Sequence, residues 1–280
     1  MPGNNVDQRN KRITHDLVRE ENIKVYRAEA PLYDVLHPEI WNWYEQRRCE
    51  RLVDETLKRI NNGNHKPLIV DVGAGTGNLT LKYLGRGCRT LSIDISREMM
   101  QILDKKVPVD ERDRCTIRCA DVESALREMP EFDGVCFGSV LHHLFDFQGV
   151  MKSFVERLKP GGFFFAMHEP LIQTPKSQVV YRLHRIVGRI DEAIYRWRAS
   201  RLKSDSQEFP DDTIAEYHQH SGEMDHVDII RSIEMAGLSI VHFETWASRR
   251  YGLSGWLSTE VIGSENCYAL IAVKPFVDKG

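Results

Sequence analysis

Three carboxylates, each at or just after an apolar run, carry the first chemical signal in this chain. Residues 68–78 read Leu-Ile-Val-Asp-Val-Gly-Ala-Gly-Thr-Gly-Asn, placing Asp71 in an apolar run with Gly73, Gly75 and Gly77 following at alternate positions. Such a run suits a buried parallel strand. Glycine permits backbone angles and close approaches that a Cβ forbids, so a strand entering this turn builds a tight pocket at the carboxyl edge of a sheet, where α/β folds bind ligands. Asp94 follows at the distance where a carboxylate can accept from both ribose hydroxyls. Asp121, with Val122 beside it, follows the next run. The set points to an adenosine-containing cofactor. Asn78 stands where the dinucleotide fingerprint needs its third glycine, which disfavours a nicotinamide, and no Lys-Ser/Thr follows the glycines, which excludes a P-loop. Histidine suits proton removal near neutral pH. His142, His143 and His168 are therefore candidate catalytic bases, with His218 and His220 further along. The wide spacing of His168, Glu169, His218 and His220 is not a ligand motif, and no metal centre is expected.

Composition bounds what these residues can serve. With 280 residues and 41% hydrophobic, the chain can bury a full core as one large domain, or as one domain with an insertion. A net charge of −3 gives no global basic footprint, so no nucleic acid is expected as partner. The six cysteines are scattered without a Cys-x-x-Cys pair, as expected of free thiols in a reducing compartment. Residues 1–22 lack an apolar signal region and no stretch approaches a membrane span. The expectation is a soluble, cytoplasmic protein.

The elements that position the acids follow from periodicity. Residues 1 to about 22 read as a loose arm, and a helix is predicted over 39–60, with Pro38 in its first turn and Asn61-Asn62-Gly63-Asn64 as its stop. Strands are predicted at 68–72, 90–95, 116–119, 134–138 and 163–168, alternating with helices through 84, over 97–106, 123–129 and 147–158. This alternation means an α/β fold with a doubly wound, mostly parallel sheet. Residues 177–201 read as one amphipathic helix with Val179, Leu183, Ile186, Ile190, Ile194 and Trp197 on one face. A helix over 225–236, capped by Asp225 and ended by Gly237, and strands at 239–246 and 267–273 close a seven-stranded sheet. The division expected is 1–60 as arm and cap, 61–170 as cofactor-binding core, 171–224 as helical insertion and 225–280 as the closing part of the core.

Several short runs, taken in order, resemble class I S-adenosylmethionine-dependent methyltransferases. They are Val70-Asp71-Val72-Gly73-Ala74-Gly75-Thr76-Gly77, Ser92-Ile93-Asp94-Ile95-Ser96, Cys119-Ala120-Asp121-Val122, Phe132-Asp133-Gly134-Val135, Leu141-His142-His143-Leu144 and Leu158-Lys159-Pro160-Gly161-Gly162. The resemblance covers residues 68–170 well and the closing strands more loosely. The segment 26–37, with Tyr33-Asp34, resembles the N-terminal segment of ubiquinone/menaquinone-type and related small-molecule methyltransferases. The resemblance implies a Rossmann-like methyltransferase fold and S-adenosylmethionine as cofactor. It implies that Asp71 meets the methionyl amino group, and that Gly73, Ala74 and Gly75, with Gly77 in the same loop, pass under the methionine and ribose. Asp94 would take the ribose hydroxyls, Ile95 pack on adenine, Asp121 accept from the adenine amine beside Val122, and Gly138 and Ser139 border the sulfonium. The cofactor's own chemistry agrees, because a sulfonium, an ammonium, two hydroxyls and an amine call for acids and backbone groups rather than phosphate clamps.

The acceptor is less legible. Phe137-Gly138-Ser139-Val140 lacks the Asn/Asp-Pro-Pro-Tyr/Phe run that marks transfer to amide or exocyclic nitrogen in this family. O-, C-, S- or amine N-methylation of a small or lipid-like molecule stays open. Residues 171–205 hold eight Lys/Arg against three acids, and 206–225 hold six acids and no Lys/Arg. These faces read either as a solvated helical cap or as a site where Arg182, Arg185, Arg189, Arg196 and Arg198 meet an anionic acceptor or lipid headgroup. Tyr33, His37, Arg182 and Trp197 are the candidate substrate contacts, and a homodimer seam is an alternative use of the same helix. A macromolecular (RNA or protein) methyltransferase and a non-catalytic scaffold of the same fold are the competing functions.

Overall fold

A computed structural model describes residues 15–60, 66–144, 147–171, 177–199 and 226–276. Seven strands form one sheet: β1 (Leu68–Val72), β2 (Arg89–Asp94), β3 (Cys115–Cys119), β4 (Phe132–Gly138), β5 (Leu158–Pro170), β6 (Ser239–Trp246) and β7 (Cys267–Val273). Their spatial order is β3-β2-β1-β4-β5-β7-β6. The first five pair in parallel, and β7 inserts antiparallel between β5 and β6. The chain winds outward from β1 to β3, then restarts on the other side at β4. That reversal leaves a crevice at the carboxyl ends of β1 and β4, where such sheets bind ligands.

Strand alternation divides the core between the two faces of the sheet. Val70, Val72, Val135, Phe137, Phe164 and Ala166 face one layer with α7 (Val122–Arg127), α8 (Phe147–Arg157) and α10 (His226–Met235). Ile69, Cys136, Phe163, Phe165, Met167 and Ile271 face the other, with α4 (Trp43–Arg59) and α5 (Asn78–Leu84). A smaller cluster joins α6 (Arg97–Lys106) to α5 through Leu84, Met100 and Leu103.

Several expectations are corrected. Residues 15–22 are not an arm, because α1 (His15–Glu29) is helical there. A short 3-10 turn, α2 (Tyr33–Leu36) and α3 (Pro38–Trp41) follow. The helix predicted over 39–60 is two helices. Asn42 is extended (φ −69°, ψ 157°) and its side chain accepts from the Tyr44 and Glu45 N–H groups, so it ends α3 and caps α4. A short helix, α11 (Gly252–Trp256), and a π-turn (Leu257–Val261) lie between β6 and β7 where none is predicted. The Asn61–Asn64 stop, the Asp225 cap, the acidic run 206–225, His218 and His220 lie outside the described residues.

The amphipathic helix α9 (Gln178–Ala199) exists but is turned the opposite way from a core helix. Its apolar stripe, Val179, Leu183, Ile186, Ile190, Ile194 and Trp197, is 40–67% exposed. His184 and Asp191, on its polar side, are buried. They dock on the segment before and within α11: the Arg249 guanidinium donates to the His184 carbonyl (2.7 Å), and the Ser254 hydroxyl donates to Asp191 (2.9 Å).

Candidate functional site

The turn after β1 is held from β2. Gly73 and Gly75 have φ +63° and +52°, in the left-handed region that favours glycine. A Cβ on Gly73 would also run into the Val140 side chain. The Gly75 N–H donates to Asp94 Oδ2 (2.9 Å), and the Ser96 N–H donates to Asp94 Oδ1 (2.8 Å). Each oxygen keeps further accepting capacity. Burial raises the Asp94 carboxyl above its ordinary range. Gly77 plays another part: it lines no part of the pocket, and at φ +99° it caps α5 against Leu103.

Two adjoining compartments open over this turn. The first runs along Asp94, Ile95, Met99, Asp121, Val122 and His143, with Arg19, Asn22 and Tyr26 of α1 above. The second is walled by Tyr33, Ile40, Trp41, Asp71, Thr76, Leu79 and His168. Gly73, Gly75, Gly138, Ser139 and Tyr33 belong to both. In the first, Ile95 and Val122 are apolar walls beside Asp94, Asp121 and Glu123. Asp121 caps α7 by accepting from the Ser124 N–H and hydroxyl (both 2.8 Å). Burial pushes its carboxyl up, but the Ser124 bonds outweigh that and hold it below its usual range. In the second, Asp71 Oδ2 accepts from the Thr80 N–H (2.9 Å) and hydroxyl (2.6 Å), and burial raises its carboxyl to about 6. Four acids and apolar plates suit a ligand carrying cations and hydroxyls. Arg19, at the mouth, is the one Lys or Arg among the described wall residues of the two compartments.

The histidines separate by position. His142 is buried and lines neither compartment; its Nδ1 bonds Glu169 Oε2 (2.9 Å), while Glu169 Oε1 accepts from the Val140 (2.8 Å) and Leu141 (3.0 Å) N–H groups. It anchors the loop after β4 and, of the three candidate bases, is the one that faces neither compartment. His143 faces the first compartment, bonded to the Tyr26 hydroxyl (2.9 Å). His168 faces the second, its Nε2 bonded to Glu45 Oε2 (3.0 Å).

Of the expected substrate contacts, only Tyr33 lines the pocket. His37 sits behind it, ring centroids 4.3 Å apart, bonded to Glu29 and Glu39. Burial lowers its pKa, but those two carboxylates outweigh burial and raise it to about 9. Arg182 and Trp197 lie on the exposed side of α9 and line neither compartment, because α9 docks by its polar face. Trp41, Ile40 and Asn22 were not legible as wall residues; the first two fit the apolar pattern of a helix and carry no other signal. Among the described residues no group of three or more His, Cys, Asp or Glu could hold a metal ion, and no helix is long and apolar enough to cross a membrane.

Comparison with known proteins bears on this geometry. Residues 70–166 match the family model described as a methyltransferase domain. A ubiquinone biosynthesis O-methyltransferase of Chromobacterium violaceum is 32% identical over 103 residues, 35% of this chain and 42% of the relative. An uncharacterized methyltransferase of Oceanobacillus iheyensis is 28% identical over 152 residues, 51% and 64% of the two chains. The chain thus spans about half the length of the curated relatives it matches. Among solved structures, one in a complex between the Haloferax volcanii Trm112 methyltransferase activator and a putative methyltransferase superposes with TM-score 0.53 at 16% identity, covering 90% of this chain and 98% of that one. The [4+2]-cyclase SpnF superposes with TM-score 0.52 at 18% identity, covering 81% and 82%. These likenesses show the fold; a cyclase among them illustrates that fold alone does not fix the reaction.

Proposed function

We propose that this chain is a class I S-adenosylmethionine-dependent methyltransferase and that it transfers a methyl group to a small-molecule or lipid-like acceptor. The observation that carries the reading is the pair of compartments meeting at Gly73, Gly75, Gly138 and Ser139, over the carboxyl ends of β1 and β4. In-line transfer needs donor and acceptor held on opposite sides of one methyl group; the cofactor spans both compartments, its adenosine in the first and its methionine end at Asp71 in the second, and the acceptor meets it from the Tyr33 and His168 side. The cofactor supplies a methyl group on a cationic sulfur. Asp94 takes the ribose hydroxyls, Ile95 and Val122 sandwich the adenine, and Asp121 accepts from its amine. Asp71 offers charge to the ammonium. The acceptor enters beside Tyr33, Ile40, Trp41 and His168. The N-terminal helices cover the site: the Thr76 hydroxyl donates to Asp34 (2.6 Å), and Arg27 pairs with Glu98 (3.1 Å). They exclude water from the transfer.

Calorimetric titration with S-adenosylmethionine tests the reading. The wild type binds. Asp94→Ala binds more weakly by about 2–3 kcal/mol, because two hydroxyls lose a charged acceptor and the Gly75 and Ser96 amides lose their anchor. Wild-type protein that fails to bind overturns the proposal, and unchanged affinity in the variant removes Asp94 from the ribose.

A further inference from the structure

We infer that His168 and Glu45 form a proton-accepting pair in the second compartment, and that the acceptor is a hydroxyl methylated on oxygen. This rests on the methyltransferase reading and adds to it the acceptor atom and the group that activates it.

The backbone marks the place. Among the described residues only two that are not glycine have φ in the left-handed region, Ser139 (+59°) and His168 (+58°). They follow Gly138 and Met167, which pair across β4 and β5, and both line the second compartment. Side chains take up this conformation at a cost and keep it where the surroundings over-determine them. The β5–β7 register also slips between Ala166 and Glu169, so a bulge spans Met167 and His168. Along β5, Phe163, Phe165 and Met167 face the α4 layer, and Phe164 and Ala166 face the other. Regular alternation would send His168 to the face away from α4. The bulge and the left-handed turn re-aim it toward α4, where Glu45 is waiting.

Glu45 is fully buried. Its two oxygens accept from the Trp246 indole N–H (3.0 and 2.9 Å), and Oε2 also meets His168 Nε2 (3.0 Å). A buried carboxylate needs donors. Indole is a donor only, so the remaining donor is His168, with its proton on Nε2. The lone pair is then on Nδ1. That atom makes no hydrogen bond among the described residues, yet it is not among the sealed, partnerless atoms, and His168 is a wall residue of the compartment. Glu45 is thus a positioning residue: it fixes the tautomer and stabilises the imidazolium once formed. Other titratable or charged groups facing the pair are Asp71 and Tyr33 in the wall, Arg48 stacked on Trp246 (4.5 Å), and Cys267, close enough to feel the Glu45 charge. Tyr33 is no alternative base, since burial holds its hydroxyl far above its ordinary range.

The step balances. The hydroxyl oxygen bonds to the methyl carbon as the carbon–sulfur bond breaks, its electron pair passing to sulfur. The hydroxyl proton goes to His168 Nδ1. The products are the methyl ether, a neutral thioether and an imidazolium facing Glu45. A hydroxyl is an acceptor that needs this help, whereas thiols ionise readily on their own and amines attack before losing a proton.

The test uses the full chain with S-adenosylhomocysteine added and nitrogen-15 histidine NMR, His168 being identified by its loss in His168→Gln. The expected spectrum shows Nε2 protonated and Nδ1 bare at pH 8. Glu45→Gln mixes the tautomers; Glu45→Asp restores part of the Nε2-protonated signal. A proton resting on Nδ1, or a ring indifferent to Glu45→Gln, overturns the pair. In turnover assays with matched phenols, anilines and thiols, His168→Gln lowers phenol methylation at least 100-fold with S-adenosylhomocysteine affinity unchanged. Methylation of anilines or thiols without phenols overturns the hydroxyl assignment. Failure of the wild type to bind S-adenosylhomocysteine would instead defeat the methyltransferase reading, while the tautomer measurement would still judge the pair.

Discussion

Asp71 shows how a single buried acid can be tuned for a cationic ligand. It is 2% exposed, and its carboxylate accepts from Thr80 twice and from the Cys136 thiol. Burial outweighs those bonds and raises the carboxyl from 3.8 to about 6. The folded value lies above the unfolded one, so the folded state prefers the protonated form. Its stabilising contribution is present below about pH 4 and is lost as pH rises through about 6. At pH 8 the uncompensated charge costs at most about 3 kcal/mol, from two pKa units at about 1.4 kcal/mol each. Asp71→Asn removes that charge and keeps one acceptor for Thr80. Measured by urea unfolding, the variant should gain about 1–3 kcal/mol relative to wild type between pH 4 and pH 8. A difference independent of pH would show that the acid is not ionising in that window. The same charge is what an ammonium of the cofactor would pair with, so the stabilised variant should also bind S-adenosylmethionine more weakly.

At the scale of elements, the start of α4 decides where Glu45 of the proposed pair sits. Asn42 Oδ1 accepts from the Tyr44 (3.0 Å) and Glu45 (3.1 Å) N–H groups, and its Nδ2 donates to the Arg249 carbonyl (2.9 Å). Asn42→Ala leaves two amides uncapped and cuts the tie to the segment after β6. Thermal unfolding should show a loss of about 1–2 kcal/mol, and the His168 tautomers should mix as Glu45 loses its anchor. No loss would mean that packing alone sets the helix start. This break was not legible beforehand, because Ile40, Trp41 and Tyr44 satisfy a helical period on both sides of it. β6 and β7 lie where alternation places them, and Asp71, Asp94 and Asp121 lie beside the pocket their spacing suggested, because strand ends and glycine turns are local features. The Glu45–His168–Trp246 cluster is the opposite case. Its partners are 123 and 201 positions apart in sequence, and the aim of His168 depends on a register slip between β5 and β7. No local pattern carries that.

At the scale of the molecule, the sheet's reversal between β1 and β4 explains why one edge holds every proposed ligand contact, while α9 lies outside that logic. Helices over such a sheet ordinarily bury their apolar stripe. α9 docks through polar contacts instead: Ser254 to Asp191, Arg249 to the His184 carbonyl, and Arg250 to Glu192 (3.3 Å) with its guanidinium 3.7 Å above the Tyr195 ring. Ile186 and Ile190 are 51% and 55% exposed, whereas Ile233 of α10 is fully buried. The two classes of isoleucine should therefore respond differently to truncation. Ile186→Gln with Ile190→Gln removes little buried surface and keeps good helix formers, so the pair should change unfolding free energy by less than about 1 kcal/mol. Ile233→Ala opens a cavity in the core cluster it shares with Val150 and Phe154 and should cost about 2–5 kcal/mol. Differential scanning calorimetry of both variants at low protein concentration separates the cases. A double variant as damaging as Ile233→Ala would mean that the stripe is covered within the folded chain, and that the polar contacts of α9 are not what holds it in place.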